Sequence, residues 1–480
     1  MRDFMRLFSF CLFCSVCFVL LCYDATTNPQ QSDELVQSPV NVLFVAIDDL
    51  RPELGCYGSS TAITPNFDAF AQEAFVFERA VCAVPVCGAS RASVMTGLRP
   101  NEDRFRTFSS RADEDAPEAP TMAEWLKVHG YTAVSNGKIL HKNLDSKDGW
   151  SEKPWRPDRI FRDYQNPENM RIVALGGHGP ATERGGESAV YADDLILEKS
   201  ISDLERLSLG EDPFFLGVGF FKPHLPFCAP ERFWDLYDPD SIGYAPNRYA
   251  PKHAPEEAMH SYGELRAYDD IPSESHLDVP DSMQLILRHG YHACVSYVDH
   301  LFGQLIQKLE ESGLANNTLV VVWGDHGWQL GEHNLWAKHA NFQTSLKVPL
   351  LIRLPGQEKG LRVSSMVELT DLYPTICALL GIERPPHVQG VDLGISVDGQ
   401  NKAQKRPGFS KFHGGETITT EAFSYTEFRN RTRTRVTGTM LFNLAEDPNE
   451  NLNISDFSDV ASIKAKLSSR LDSLRKTAVE

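Results

Sequence analysis

VNVLFVAI at residues 40–47 is apolar almost throughout and rich in β-branched side chains. A strand with one face in water alternates apolar and polar residues. A continuous apolar run is instead a strand buried on both faces, as in a parallel sheet covered by helices. Similar runs are YTAVS (131–135), PFFLGVGF (213–220), TLVVVW (318–323) and VPLLIR (348–353). Helical patterns lie between them. TPNFDAFAQEAFVF (64–77) spaces Phe67, Phe70, Ala71 and Ala74 along one helical face, and over 283–313 Val298, Leu301, Leu305 and Leu309 repeat at helical spacing. This alternation predicts an α/β fold with a mostly parallel central sheet flanked by helices. The segments 141–190 and 225–283, rich in Pro, Asp, Gly and aromatics, are expected as long loops over the sheet edge that wall a substrate site.

The ends of the chain differ in texture. MRDFMR followed by the apolar run LFSFCLFCSVCFVLLC predicts a secretory signal over 1–25. A secreted, periplasmic or lysosomal-type location follows; the alternatives are a membrane anchor, or a lipid anchor at Cys22, where Leu21 stands in place of a small residue. Residues 26–38 are expected as a polar linker and 39–400 as the catalytic domain. Residues 401–480 are expected as a smaller C-terminal α+β subdomain, with strands in EAFSYTEF and TMLFNL. Its final helix, 459–476, carries Ile463, Leu467, Leu471 and Leu474 on one face. The six cysteines beyond the leader are too scattered for a disulfide framework, and no CxxC pair suggests a thiolate zinc site. A net charge of −18 argues against nucleic acid as a partner, yet a few local cations can still build one anion pocket. Asn316, Asn430 and Asn453 stand in glycosylation sequons, and no feature fixes an oligomeric state.

Charged groups follow the strands directly. AIDDL places Asp48 and Asp49 after the first strand, and GDHG places Asp325 and His326 after TLVVVW. Ligands in open α/β sheets sit beyond the carboxyl ends of the strands. Three carboxylates converging there beside an imidazole would repel one another unless a divalent cation joined them, and oxygen-rich ligation favours Ca²⁺, Mg²⁺ or Mn²⁺. Lys138 and His141 follow YTAVS, His224 follows PFFLGVGF, and Lys338 follows GDHG. Lys222, beside His224, reads as an ordinary solvated lysine, and His289, His292 and His300 as structural. SRASVMTG reads as the first turns of a helix that Ser90 caps, with Cys87 at its mouth and Arg91 about one turn on. A helix N-terminus beside a cation suits a tetrahedral anion, sulfate or phosphate. Cys87 itself is open to several readings: a structural thiol, a disulfide with Cys82, a nucleophile, or a residue modified before it works.

The motifs CGASRASVMTG (87–97), AIDDLRPELGCYG (46–58), NGKILH (136–141), KPHLPF (222–227), GDHGWQLGEHNLWAK (324–338) and LFNLAEDPNENLN (441–453) together resemble the sulfatases of the alkaline phosphatase superfamily, in particular their iduronate-2-sulfatase branch. The resemblance spans roughly residues 40–455. It implies an alkaline-phosphatase-like fold, and oxidation of Cys87 to Cα-formylglycine by a formylglycine-generating enzyme. It also implies a Ca²⁺ held by Asp48, Asp49, Asp325, His326 and an oxygen of the modified residue 87. Arg91 would steady the hydrated aldehyde, Lys138 would hold sulfate oxygens and His141 would take a proton. His224 and Lys338 would serve the leaving group of a sulfated oligosaccharide or polysaccharide. The family core is Cys-x-Pro-x-Arg, and here Ala89 stands in the proline position. The same residues also suit a phosphate or phosphonate monoester hydrolase, or a secreted glycan-binding protein without activity.

Overall fold

A computed structural model describes residues 40–396 and 406–479, with side chains to 476. The expected leader (1–25), the expected linker (26–38) and the boundary expected at 400 lie outside the described residues. The eight-stranded central sheet comprises β1 (Asn41–Ile47), β2 (Phe75–Val81), β3 (Thr132–Gly137), β4 (Phe214–Phe220), β5 (Thr318–Gly324), β6 (Lys347–Val348), β7 (Leu350–Arg353) and β8 (Leu361–Glu368). Its order is β6-β2-β7-β5-β1-β4-β3, with β8 paired to β2. The strands β3, β4, β1 and β5 run parallel, as do β2 and β8, while β6 and β7 are antiparallel to their neighbours. The continuous apolar run of β1 follows from this place at the centre. Leu43, Val45 and Ile47 pack on one face of the sheet, and Val42, Phe44 and Ala46 on the other.

The helices that matter are α1 (Pro65–Ala71), α2 (Cys87–Thr96), α3 (Ala192–Leu207), α4 (Asp281–Glu311) and α5 (Ala461–Val479). The helix expected over 64–77 is half right. α1 stops at Ala71 and the chain turns straight into β2, so Phe75 and Phe77 are strand residues. Their spacing from Phe67, Phe70 and Ala71 continues a helical pattern, and no Gly or Pro marks the break. The segments expected as long loops contain a helix at Pro167–Ala174 and a short parallel pairing of Thr182–Gly185 with Phe227–Pro230.

Beyond residue 406 come four antiparallel strands: β9 (Gly408–Phe412), β10 (Gly415–Thr419), β11 (Phe423–Arg429) and β12 (Val436–Asn443). α5 covers them, burying Leu467 and Leu471 against Phe409, Ile418, Tyr425 and Leu441, with Ile463 and Leu474 at the margin. The lateral edge of this sheet meets the catalytic side at Ser410, whose Oγ donates to the Cys82 carbonyl at 2.6 Å.

Candidate active site

Four chain segments meet at the carboxyl edge of the sheet. β1 ends at Ile47, and Asp48 and Asp49 follow; Asp49 takes the left-handed conformation (φ 60°), which Asp tolerates better than most residues. β5 ends at Gly324, and the Asp325 amide donates to the Ile47 carbonyl, so the two acidic termini lie side by side. Beyond β3, Lys138 is gripped by backbone: its amide donates to the Gly219 carbonyl at 2.8 Å, and a Cβ on Gly219 would stand 2.2 Å from Lys138 backbone atoms, so only glycine fits there.

The fourth segment is α2. The helix begins at Cys87, and Val86 is its N-cap. Ser90 is therefore inside the first turn and does not cap it, contrary to the sequence expectation; its hydroxyl donates instead to the Asp325 carbonyl at 2.6 Å. The first backbone bond of the helix runs from the Ser90 amide to Val86. Residue 89 thus owes no amide to the helix, and alanine in place of the family's proline loses no backbone bond. Cys82 and Cys87 are both free thiols, so no disulfide joins them.

Around Cys87 the side chains converge. His326 Nε2 lies 3.2 Å from Cys87 Sγ, 3.4 Å from Asp49 Oδ1 and 3.6 Å from Asp325 Oδ1. Its Nδ1 sits 3.0 Å from the Gly327 carbonyl. A carbonyl only accepts, so Nδ1 carries the proton and Nε2 turns a lone pair toward the cluster, as a metal-ligating histidine does. One ligand atom each from Asp48, Cys87, Asp325 and His326 falls within 4.8 Å of the others. Arg91, fully buried, spans two of the carboxylates: Nε to Asp325 Oδ2 at 2.8 Å and Nη2 to Asp48 Oδ1 at 3.4 Å, with Nη1 donating to the carbonyls of Lys138 and Ile139. Arg91 therefore holds the acidic residues and makes no bond to Cys87. The Lys138 ammonium pairs with Asp48, and Lys338 Nζ reaches Asp49 at 2.9 and 3.1 Å.

Burial sets the electrostatics. It would push the Asp48 carboxyl up, but Lys138, His224 and Arg91 together hold it well below the usual range. At Asp49 burial, joined by the like charge of Asp48 and countered by Lys338, pushes the carboxyl well up. The Cys87 thiol, 3% exposed, is raised to about 12 by burial and then by Asp48, which makes an unmodified Cys87 a poor nucleophile. Burial and then Lys338 lower His224 to about 3. Lys338 itself is raised well above its ordinary value against the drag of burial, chiefly by Asp49, so of these two groups it is the lysine that carries a proton.

The remaining sequence candidates take separate places. His224 donates from Nδ1 to the Leu225 carbonyl at 2.6 Å and turns Nε2 toward Asp49 at 3.9 Å. His141 stands beside the cluster, with its ring near Phe108 and Phe161 and its buried Nδ1 without a hydrogen-bond partner. Burial and then Lys138 lower its ring to about 2. Lys222 is not a solvated lysine: it is 5% exposed, and its ammonium donates to the carbonyls of His224 and Pro226, bracing that loop. Glu264 is the residue that sequence reasoning missed. It accepts from Lys338 Nζ at 2.9 Å and lies 3.4 Å from His224 Nε2. Nothing in SYGELRAYDD marks it, because its partners are 40 and 74 residues away in the chain.

Comparison with known proteins gives the family and the fold. The Sulfatase family profile matches residues 40–382, and that of the N-sulphoglucosamine sulphohydrolase C-terminal region matches 331–477. Iduronate 2-sulfatase of Homo sapiens is 33% identical over 403 residues, covering 75% of this chain and 73% of its own. The Mus musculus iduronate 2-sulfatase is 30% identical over the same span and coverage. Among solved structures, the phosphonate monoester hydrolase of Agrobacterium radiobacter superposes with a TM-score of 0.73 at 23% identity, covering 92% of this chain and 96% of its own, a likeness of fold.

Proposed function

Since the chain belongs to the sulfatase family and is a sulfuric ester hydrolase, we propose that it removes O-sulfate from a sulfated oligosaccharide or polysaccharide, with a 2-O-sulfated uronate as the preferred residue. The observation that carries this is the convergence of Asp48, Asp49, Asp325, His326, Lys138 and Lys338 on residue 87. The likeness to iduronate 2-sulfatases supports the choice of uronate, and the leader expected over 1–25 supports a secreted, periplasmic or lysosomal-type location.

The donor set fits a hard dication. Three buried carboxylates crowd together, one of them resists its own ionisation, and His326 offers a lone pair. Asp48, Asp49, Asp325, His326 and an oxygen of the modified residue 87 would hold Ca²⁺. When bound, Ca²⁺ supplies the positive charge that favours a negatively charged oxygen at residue 87. Oxidation of Cys87 to formylglycine by a formylglycine-generating enzyme would account for so unreactive a thiol at the focus: a hydrated aldehyde there would have one hydroxyl to attack sulfur and a second with which to release sulfate.

The other tasks fall to the chain's own groups. Arg91 fixes the two carboxylates of Asp48 and Asp325 in place. Lys138, whose ammonium is paired with Asp48 here, would turn to sulfate oxygens, and His141, whose Nδ1 has no partner, is the group the family resemblance assigns to proton transfer. Lys338 holds a proton for the departing alkoxide, with Asp49 and Glu264 fixing its position; a positioned acid of this kind is worth about 10²–10⁴-fold. The test is release of inorganic sulfate from sulfated disaccharides that differ only in sulfate position, alongside matched phosphate and phosphonate esters. Sulfate should be released fastest from the 2-O-sulfated uronate. Cleavage of the phosphorus esters with no sulfate released from any sugar would sink the proposal.

A further inference from the structure

Beside the catalytic cluster a cleft of about 800 Å³ opens between the catalytic side and the C-terminal sheet. Its volume suits one or two sugar rings. Glu264 lines it, so its inner end is one hydrogen bond from Lys338. In a chain of net charge −18, its lining carries five Lys and Arg against two carboxylates. Three of the five are occupied. Lys411 pairs with Glu102 and Glu416, Arg433 with Glu102, and Arg429 with Glu427. Arg106 and Arg431 differ. Both are exposed, and neither side chain makes a hydrogen bond or ion pair with any described residue. One comes from the loop after α2 and one from the β11–β12 turn. At the inner end, the buried Oε2 of Glu264 has no hydrogen-bond partner.

An acidic protein that leaves two guanidinium groups without counter-charges in the cleft beside its reaction centre presents an anion site. Planar forks of donors match carboxylate and sulfate oxygens. Resting on the reading of the substrate as a sulfated sugar, we propose that Arg106 and Arg431 bind a second anionic group of that sugar chain, its carboxylate or a further sulfate. The two arginines thereby select substrates by a charge distant from the ester that is cleaved.

Three disaccharides test this: the 2-O-sulfated uronate form, its counterpart with the carboxylate reduced to an alcohol, and the reduced form carrying a sulfate on the neighbouring residue. Wild type should favour at least one charged form over the reduced one by about tenfold or more in kcat/KM, the scale of charged hydrogen bonds. In Arg106→Ala, Arg431→Ala and the double variant that preference should shrink toward unity, mainly through KM. Which charged form loses its advantage tells carboxylate from sulfate. Both arginines are exposed and bond nothing, so folding is not at stake. A wild type indifferent to the extra charge, or variants that keep its preference, overturns the inference while leaving the function intact. No sulfate released from any of the three by wild type overturns the substrate reading and this inference together.

Discussion

Arg91→Ala probes the scaffold of the site. The guanidinium is wholly buried, bridges Asp48 and Asp325, and donates to two backbone carbonyls. Truncation strands two buried carboxylates that keep only Lys138 and the backbone as partners. Breaking a buried ion pair by removing one partner costs about 3–5 kcal/mol. With an unfolding entropy near 2.1 cal/mol/K per residue, a folded unit of about 440 residues loses roughly 3–5 °C in Tm. A second effect is separable from this. Side chains that orient metal-binding carboxylates are worth about 10- to 100-fold in metal affinity. Thermal unfolding followed across a Ca²⁺ titration reads both: the variant should melt lower without the ion, and its calcium-dependent rise should need about 10- to 100-fold more Ca²⁺. Arg91→Lys should recover part of the stability and little of the affinity, because one ammonium cannot span both carboxylates. A variant melting within a degree of wild type, with an unshifted calcium curve, would refute the bridging role.

Cys87→Ala should abolish sulfate release while leaving the melting curve close to wild type, and substantial residual turnover would remove residue 87 from the nucleophile's place. In the active protein, the peptide holding residue 87 should weigh about 18 Da less than its thiol form; a full-mass thiol in an active sample contradicts the modification. A chelator should extinguish activity and Ca²⁺ restore it, whereas full activity in a preparation shown metal-free by elemental analysis would count against the dication. Glu450, 1% exposed, is pushed up to about 8 by burial, against the Gln343 amide that donates to it. The folded protein keeps a proton that the unfolded chain releases near its ordinary 4.5, so this group's stabilisation is complete below that pH and is lost as pH rises through 8. Glu450→Gln should therefore gain on wild type between pH 5 and 8, by a few kcal/mol at most, in paired urea melts; parallel pH profiles would dismiss the effect.

The parts legible in the sequence were those written in short range. A buried parallel strand needs apolar residues on both faces, so β1, β3, β4 and β5 stand out, and the polar groups at their ends, Asp48, Asp49, Lys138, Asp325 and His326, mark the active edge. Where one element runs straight into the next, the signal blurs: the helical spacing of α1 continues into β2 with no breaker. Ser90 misleads because its hydroxyl is used across 235 residues of chain, on the Asp325 carbonyl, and not on its own helix. Lys222 misleads similarly, since the carbonyls it braces are defined only once its loop has folded back. Glu264 was invisible because its meaning lies wholly in distant partners.

The pairing of acids and bases around residue 87 has a consequence in electroneutrality. Four carboxylates, Asp48, Asp49, Asp325 and Glu264, face three basic side chains, Arg91, Lys138 and Lys338. Burial favours the protonated form of Asp49; counted with all four carboxylates ionised, as a dication among them would favour, and without the imidazoles, these groups leave a single surplus negative charge. A bound dication inverts it to a single surplus positive one, which a once-charged ester cancels. A phosphate monoester, twice charged near neutrality, would leave the chamber unbalanced, and imbalance is costly where water is scarce. On that count, with a dication bound and Asp49 ionised, charge balance would favour a monoanionic ester over a dianionic one before any contact with the sugar.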